Sequence, residues 1–196
     1  EDPYLNSLVA RAFVRGYQKG GLNQFGTVAS CVKHFAGYGG AEGGRDYNTV
    51  ELSPSTLRDQ YLPAYKAAVE QGCEMVMTSF NTLDGIPSTC NKWLLRDLLR
   101  KEWGFKGVVI SDWDAVRELI PHGVAENEEE AAFKAILAGV DIEMMSLTYL
   151  TYAEKLVAEG KISEQLIDEA VERILELKQK LGLFDNPYRF ADPEKE

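Results

Sequence analysis

The sequence predicts an α/β fold of the (β/α)8 TIM-barrel type with about four βα units present, a half-barrel fragment. Three observations carry this. Four short apolar runs, at 27–35, 74–81, 107–112 and 140–145, are each bounded by glycine or polar residues. Helical patterns separate them, and alternating strands and helices imply right-handed crossovers and a parallel sheet. A whole eight-stranded barrel needs about 250 residues, so 196 residues holding four strands amount to about half of one. Pattern alone leaves open a complete small doubly wound sheet.

The elements follow in order. The second and third runs contain Met75-Val76-Met77 and Val108-Val109-Ile110, continuously apolar as in strands covered on both faces. Between the first two runs, Ser53-Pro54 offers an N-cap followed by proline at the first helical position, and Gly72 closes a stretch bearing Tyr65, Ala68 and Val69. Pro63 has no N–H to donate and should break or kink that helix. Further helices are expected at 91–102, 128–137 and 149–159. The last, 163–181, repeats Ile167, Ala170, Val171, Ile174 and Leu181 on one face and stops at Gly182. Such a face must pack on something. Residues 1–186 are read as the barrel half and 187–196 as the start of a linker to a further domain.

Composition excludes several classes. With 21 basic and 31 acidic residues the formal charge is −10, which repels nucleic acid and anionic membrane surfaces. No run of about 18 apolar residues is present to span a bilayer. Cys31, Cys73 and Cys90 form no CxxC pair, and His34 and His122 stand far apart, so neither a disulfide framework nor a zinc site is suggested. The chain opens at Glu1-Asp2-Pro3 without an initiator Met or a leader, which reads as the interior of a longer polypeptide.

In a parallel barrel the site lies at the C-terminal ends of the strands. Three runs end in polar groups: Lys33-His34-Phe35, Thr78-Ser79-Phe80-Asn81 and Ser111-Asp112-Trp113-Asp114. Asp112 beside the Trp113 indole suits a sugar, whose C–H face stacks on the ring while the carboxylate approaches the anomeric carbon. It equally suits the N-cap of the next helix. Lys33 and His34 supply donors for sugar hydroxyls, or else a structural ion pair and a satisfied carbonyl. Met77 and Phe80 at the second strand complete the candidate sugar contacts. Residues 37–46 are glycine-rich but lack a phosphate-binding signature; they read as an active-site loop whose end, Arg45-Asp46, reaches the ligand. Glu42, Asp46, Asp84, Asp114 and Glu143 could be assembled into a metal cluster, but scattered loop charges explain them better. No metal and no cofactor is expected.

The segments EDPYL, VKHFAGYGGAEGGRDYN, LPAYKAAVEQG, NTLDGIPST, LLRDLLRKEWGFKGVVISDWDAV, AGVDIEM and LGLFDNPY, in this order, resemble the barrel domain of family 3 glycoside hydrolases, of the bacterial periplasmic β-glucosidase type. The resemblance covers almost the whole chain. It implies Asp112 as the nucleophile of a retaining exo-β-glycosidase, Lys33 and His34 as ligands of sugar hydroxyls, and Trp113 as the aromatic bordering that sugar. Many members carry a tyrosine where Phe80 stands, its hydroxyl bonded to the nucleophile; Phe80 cannot make that bond. A branch acting on N-acetylglucosaminides uses a histidine on the loop after KHF, where this chain has Tyr38 and no histidine. By the same resemblance the acid/base glutamate lies on a following domain, and a sugar-binding aspartate and arginine on earlier strands. The implied partners are a β-glucoside or short β-linked oligosaccharide, and the remainder of the glycosidase polypeptide or a second copy at the open barrel edges. The implied compartment is periplasmic or secreted. The competing reading is a non-catalytic half-barrel that binds sugar or self-assembles.

Overall fold

The computed structural model describes residues 2–188, 191 and 194; most of the expected linker at 187–196 lies outside them. A four-stranded parallel sheet runs in the order β1 (Cys31–Phe35), β2 (Met75–Thr78), β5 (Val108–Trp113) and β6 (Ile142–Met144). All four expected strands are present; β1, β2 and β6 are shorter than their apolar runs, and β5 has the length of its run, shifted by one residue. The fold is the expected parallel α/β sheet, and it is open: β1 and β6 each pair on one side only.

The register of the central pair is set by a close approach. Val108 N donates to Glu74 O at 3.0 Å, just before β2 and β5 align as Met75–Val108, Val76–Val109 and Met77–Ile110. A Cβ on Gly107 would stand 2.1 Å from Glu74 O, so only glycine admits this contact. The outer pairs are less regular. Between Val32 and Phe35, and again between Ile110 and Trp113, the longer strand spends three residues against its partner's two. One extra residue in β1 and one in β5 make two bulges. The Lys33–His34 and Phe35–Ala36 peptide bonds in the first are cis.

The helices largely follow the expected pattern. Ser53 accepts from Thr56 N and caps α2 (Pro54–Thr56). Near Pro63 the chain widens into a π-helical stretch, Leu57–Tyr61, in which Leu62 N reaches back to Leu57 O, before α3 (Leu62–Glu70). The missing N–H of Pro63 is thus accommodated by a wide turn. The helix expected at 91–102 is π-helical over Trp93–Glu102; α4 (Glu128–Ala138), α5 (Thr148–Ala158) and α6 (Glu164–Lys180) follow.

Two elements escaped the pattern reading. Asp2 caps α1 (Pro3–Tyr17), accepting from Leu5 N ahead of Pro3, a start signal that was legible. A hairpin, β3 (Thr82–Leu83) and β4 (Ile86–Pro87), turns on Asp84-Gly85, both with positive φ, as a two-residue Asp-Gly turn requires.

Val76 and Val109 of the sheet pack with Phe35, Leu94, Leu95, Leu98 and Leu99 in the main core. Leu166 and Ile167 of α6 lie against α4 and α5, but Val171 remains 45% exposed, so the amphipathic stripe is only partly covered. Near β1, α1 leaves Leu5, Leu8, Val9 and Phe13 exposed and flanks a groove of about 620 Å³ shared with β1 and α3. Beyond β6, Met145, Leu147 and Leu150 are exposed. Both open edges therefore carry uncovered apolar surface.

At the start of β6, Asp141 is buried. Its Oδ2 accepts from Arg100 Nη2 at 2.6 Å and Val109 N at 2.8 Å, and its Oδ1 from Arg173 Nη1 at 2.8 Å. Burial pushes the Asp141 carboxyl above its ordinary value, while the two arginines and the Val109 amide oppose that rise. Burial also lowers the Arg100 guanidinium to about 10, which leaves it charged at neutral pH. Removing one partner of such a group strands buried charge, so Asp141→Ala is expected to cost about 3–5 kcal/mol in urea unfolding. A loss well under about 1 kcal/mol would reduce the network to the worth of a surface pair.

Candidate active site

His34 and Asp112 lie on the C-terminal rim of the sheet, at the two bulges. In β5, Ser111 Oγ donates to Asp112 O at 2.8 Å and accepts from Met144 N at 2.9 Å. The hydroxyl thereby replaces ladder contacts that the extra residue displaces. Asp112 is 8% exposed, whereas Trp113 beside it is 58% exposed. Asp112 Oδ1 accepts from Trp113 N at 2.6 Å. Its Oδ2 is buried without a hydrogen-bond partner among the described residues.

His34 Nε2 lies 3.2 Å from that Oδ2, but off the angle of a good hydrogen bond. Burial lowers the His34 pKa, against the opposing pull of the Asp112 charge, so the imidazole is neutral at neutral pH. A neutral ring can direct an N–H dipole at the carboxylate without bringing a full charge. The carbonyl of His34 accepts from Tyr65 Oη at 2.5 Å, which fixes the backbone from the helix side.

Asp112 is not a helix cap. The short 3-10 turn that follows, Arg117–Leu119, has Val116 at its N-cap position and no side-chain cap bond. The competing structural reading is thereby removed for this residue, though other polar residues are spent structurally. Thr78 and Ser79 pair with Thr89 and Ser88, and Asn81 donates to Ala36 O, all holding the hairpin against the sheet.

Phe80 faces the glycine-rich loop, with the Tyr47 ring 4.2 Å and the Tyr38 ring 6.3 Å away. Tyr38 Oη donates to Asp46 Oδ1 at 2.9 Å. Lys33 is exposed and borders the groove between α1 and β1; Arg45 is exposed on the loop, and Met77 is half-buried within β2 opposite Ile110. The geometry thus brings together His34, Asp112, Trp113 and, through the loop, Phe80 and Asp46. It does not bind Lys33, Arg45 or Met77 to Asp112.

The five carboxylates considered as a metal cluster do not meet. Asp46 holds Tyr38, Asp114 holds Arg117 and Glu143 accepts from Thr148 and Tyr149 at the start of α5. Among the described residues no three His, Cys, Asp or Glu side chains are placed to share a metal ion. Cys31, Cys73 and Cys90 are free thiols.

Sequence reading missed Tyr47 and Glu118. Tyr47, Asp114 and Met145 adopt left-handed backbone conformations, with φ of 63°, 56° and 72°, in the loops after β1, β5 and β6. Strained non-glycine residues therefore gather on the rim that carries Asp112. Glu118 has a buried Oε2 without a hydrogen-bond partner among the described residues; burial, then Asp114 and Asp112, raise its carboxyl pKa. Neither residue has a sequence signal beyond its type.

The site is thus a buried, half-satisfied carboxylate on the C-terminal rim of an open parallel α/β sheet. Residues 1–177 match the glycosyl hydrolase family 3 N-terminal domain, and the chain belongs to that family of glycosidases. It is 42% identical to the periplasmic β-glucosidase of Salmonella typhimurium, over 100% of this chain and 26% of that protein. A putative β-xylosidase of Formosa agariphila is 38% identical over 96% of this chain and 25% of its own length. The β-glucosidase of Listeria innocua in complex with glucose superposes with a TM-score of 0.96 at 55% identity, covering 100% of this chain and 28% of that one. The chain spans about a quarter of the length of the relatives that it matches.

With only two histidines in the chain, the His34 ring can be followed by NMR. Its midpoint is expected below the ordinary value of about 6.5, and lower still in Asp112→Asn, because the lost carboxylate no longer favours imidazolium. A midpoint that rises on this substitution would contradict the geometry.

Proposed function

We propose that this chain supplies the nucleophile, Asp112, and part of the sugar subsite of a retaining exo-β-glycosidase of the β-glucosidase type. The observation that carries this reading is the buried Asp112 Oδ2, without a hydrogen-bond partner among the described residues and 3.2 Å from a neutral His34. An acceptor left unsatisfied in a buried place costs free energy, a cost that a reacting substrate would offset.

The reaction then has two displacements. Oδ2 attacks the anomeric carbon while the departing glycosidic oxygen takes a proton, giving a glycosyl ester on Asp112. Water next displaces the carboxylate, so configuration is retained. Trp113 is exposed beside the nucleophile and offers the apolar face on which a sugar ring stacks. Lys33, Arg45, Asp46, Met77 and Phe80 complete the proposed subsite. The proton donor and the remaining sugar ligands come, in this reading, from the rest of a longer polypeptide. A β-glucoside or short β-linked oligosaccharide is the proposed substrate; the Listeria enzyme's glucose complex supports that class. The periplasmic relative supports a periplasmic or secreted setting, and no helix among the described residues is long and apolar enough to cross a membrane.

The two open edges favour a second reading, a non-catalytic half-barrel that binds sugar or assembles with a second copy. α1 argues against the second copy at β1. It packs beside α3 and is the element that precedes β1 in the chain, the place of a crossover helix. A neighbouring strand from another molecule would bring its own crossover helix to the same place.

Hydrolysis of chromogenic β-glycosides separates the readings. A polypeptide restoring the flanking regions is expected to be active, and Asp112→Asn to lower kcat/KM roughly 10⁴-fold, the scale of losing one member of a covalent catalytic set. Activity that survives the substitution would remove Asp112 from its role. Sedimentation of the bare chain is expected to show self-association; a stable folded monomer would mean that its edges need no cover.

A further inference from the structure

The imidazole of His34 needs an explanation. Among the described residues it makes no side-chain hydrogen bond of good geometry, yet it stands 3.2 Å from Asp112 Oδ2. Tyr65 fixes only its carbonyl. The ring packed against it is that of Tyr38, with centroids 5.1 Å apart and planes tilted by 54°.

Tyr38 is itself fixed at its far end. Its hydroxyl donates to Asp46 Oδ1 at 2.9 Å, across a loop that has few other anchors. Glu42 N bonds to Thr49 O, and Asn48 Nδ2 to Glu42 O, while residues 42–47 are all exposed. Gly37 begins the loop with φ of 80°, turning the chain back over the end of β1. At the far end, Tyr47 rests on Phe80. The Tyr38–Asp46 bond therefore joins the two limbs of the loop through the ring that packs on His34.

We propose that Tyr38 is a positioning residue for His34: latched to Asp46, it folds the glycine-rich loop down and holds the imidazole at the nucleophile. This deepens the reading of Asp112 and His34 given above. Tyr38 does not act as a proton donor to substrate. Burial and the bond to Asp46 raise its pKa to about 12, so its proton stays in place at neutral pH.

The test measures coupling between His34 and Asp112 in this chain, without any hydrolysis. The charged groups facing His34 are Lys33 on its own strand, Asp112 on β5 and Asp46 on the loop. Asp112→Asn should shift the His34 midpoint downward, and the size of that shift reports how close the two groups stand. In Tyr38→Phe, which removes only the latch hydroxyl, the shift is expected to shrink to less than half. Asp46→Ala should do the same, while Asp46→Asn, whose amide oxygen still accepts from Tyr38, should restore it. A merely structural role would leave the coupling unchanged, and an unchanged shift in both Tyr38→Phe and Asp46→Ala overturns the proposal.

A kinetic arm serves if the bare chain associates too strongly for NMR. In the polypeptide with its flanking regions, Tyr38→Phe should lower kcat/KM about tenfold and cost nothing more in a His34→Ala background. Additive losses overturn the proposal. An inactive parent would count against the glycosidase reading alone, since the coupling measurement in that same polypeptide still decides the role of Tyr38.

Discussion

The approach of Glu74 O to the backbone at Gly107 is the constraint on which the rest depends. It fixes the alignment of β2 with β5 at the centre of the sheet, and both flanking strands are placed from that pair. Every distance across the rim, including that from His34 on β1 to Asp112 on β5, is inherited from this register. A side chain at 107 would have to displace backbone, so the position is closed to other residues for geometric reasons.

Above that fixed centre, the rim combines burial with incomplete satisfaction. The sheet supplies the rigidity: the Asp141 network ties β5, β6 and α6 at one end. At the other end, polar groups from β2 are absorbed by the hairpin, and the carboxylate of Asp112 is half satisfied. Left-handed residues in three rim loops show that the same end bears the backbone strain. Such a division, order at the base and unspent bonding capacity at the top, is what a scaffold for chemistry requires.

Much of this was legible in the sequence. Continuous apolar runs gave the central strands, the Ser53-Pro54 pair gave a helix start, and the polar ends of three runs pointed to His34, Asp112 and Trp113. Other features were present but overlooked. Asp2-Pro3 signals a helix, yet α1 has apolar residues on more than one side, which blurs its period. Asp84-Gly85 signals a hairpin, but strands of two residues are too short to show alternation. The rest could not be read. Bulges depend on pairing between distant segments, and whether Lys33, Arg45 or Met77 meets the carboxylate depends on loop paths. The roles of Tyr38 and Tyr47 arise only when the glycine-rich loop folds back onto Phe80 and His34.

The two bulges have a consequence for how this protein can change. In an ordinary strand each side chain is committed to one face, so a substitution is felt by the layer behind it. His34 and Asp112 sit where the count is interrupted, while Val76 and Val109, in unbroken register, carry the core. His34 and Asp112 are thereby set apart from the alternation that stabilises the sheet. A substitution at His34 or Asp112 therefore falls outside the register in which Val76 and Val109 pack. On β5 the two tasks fall to different residues of one strand, Val109 in the core and Asp112 on the rim.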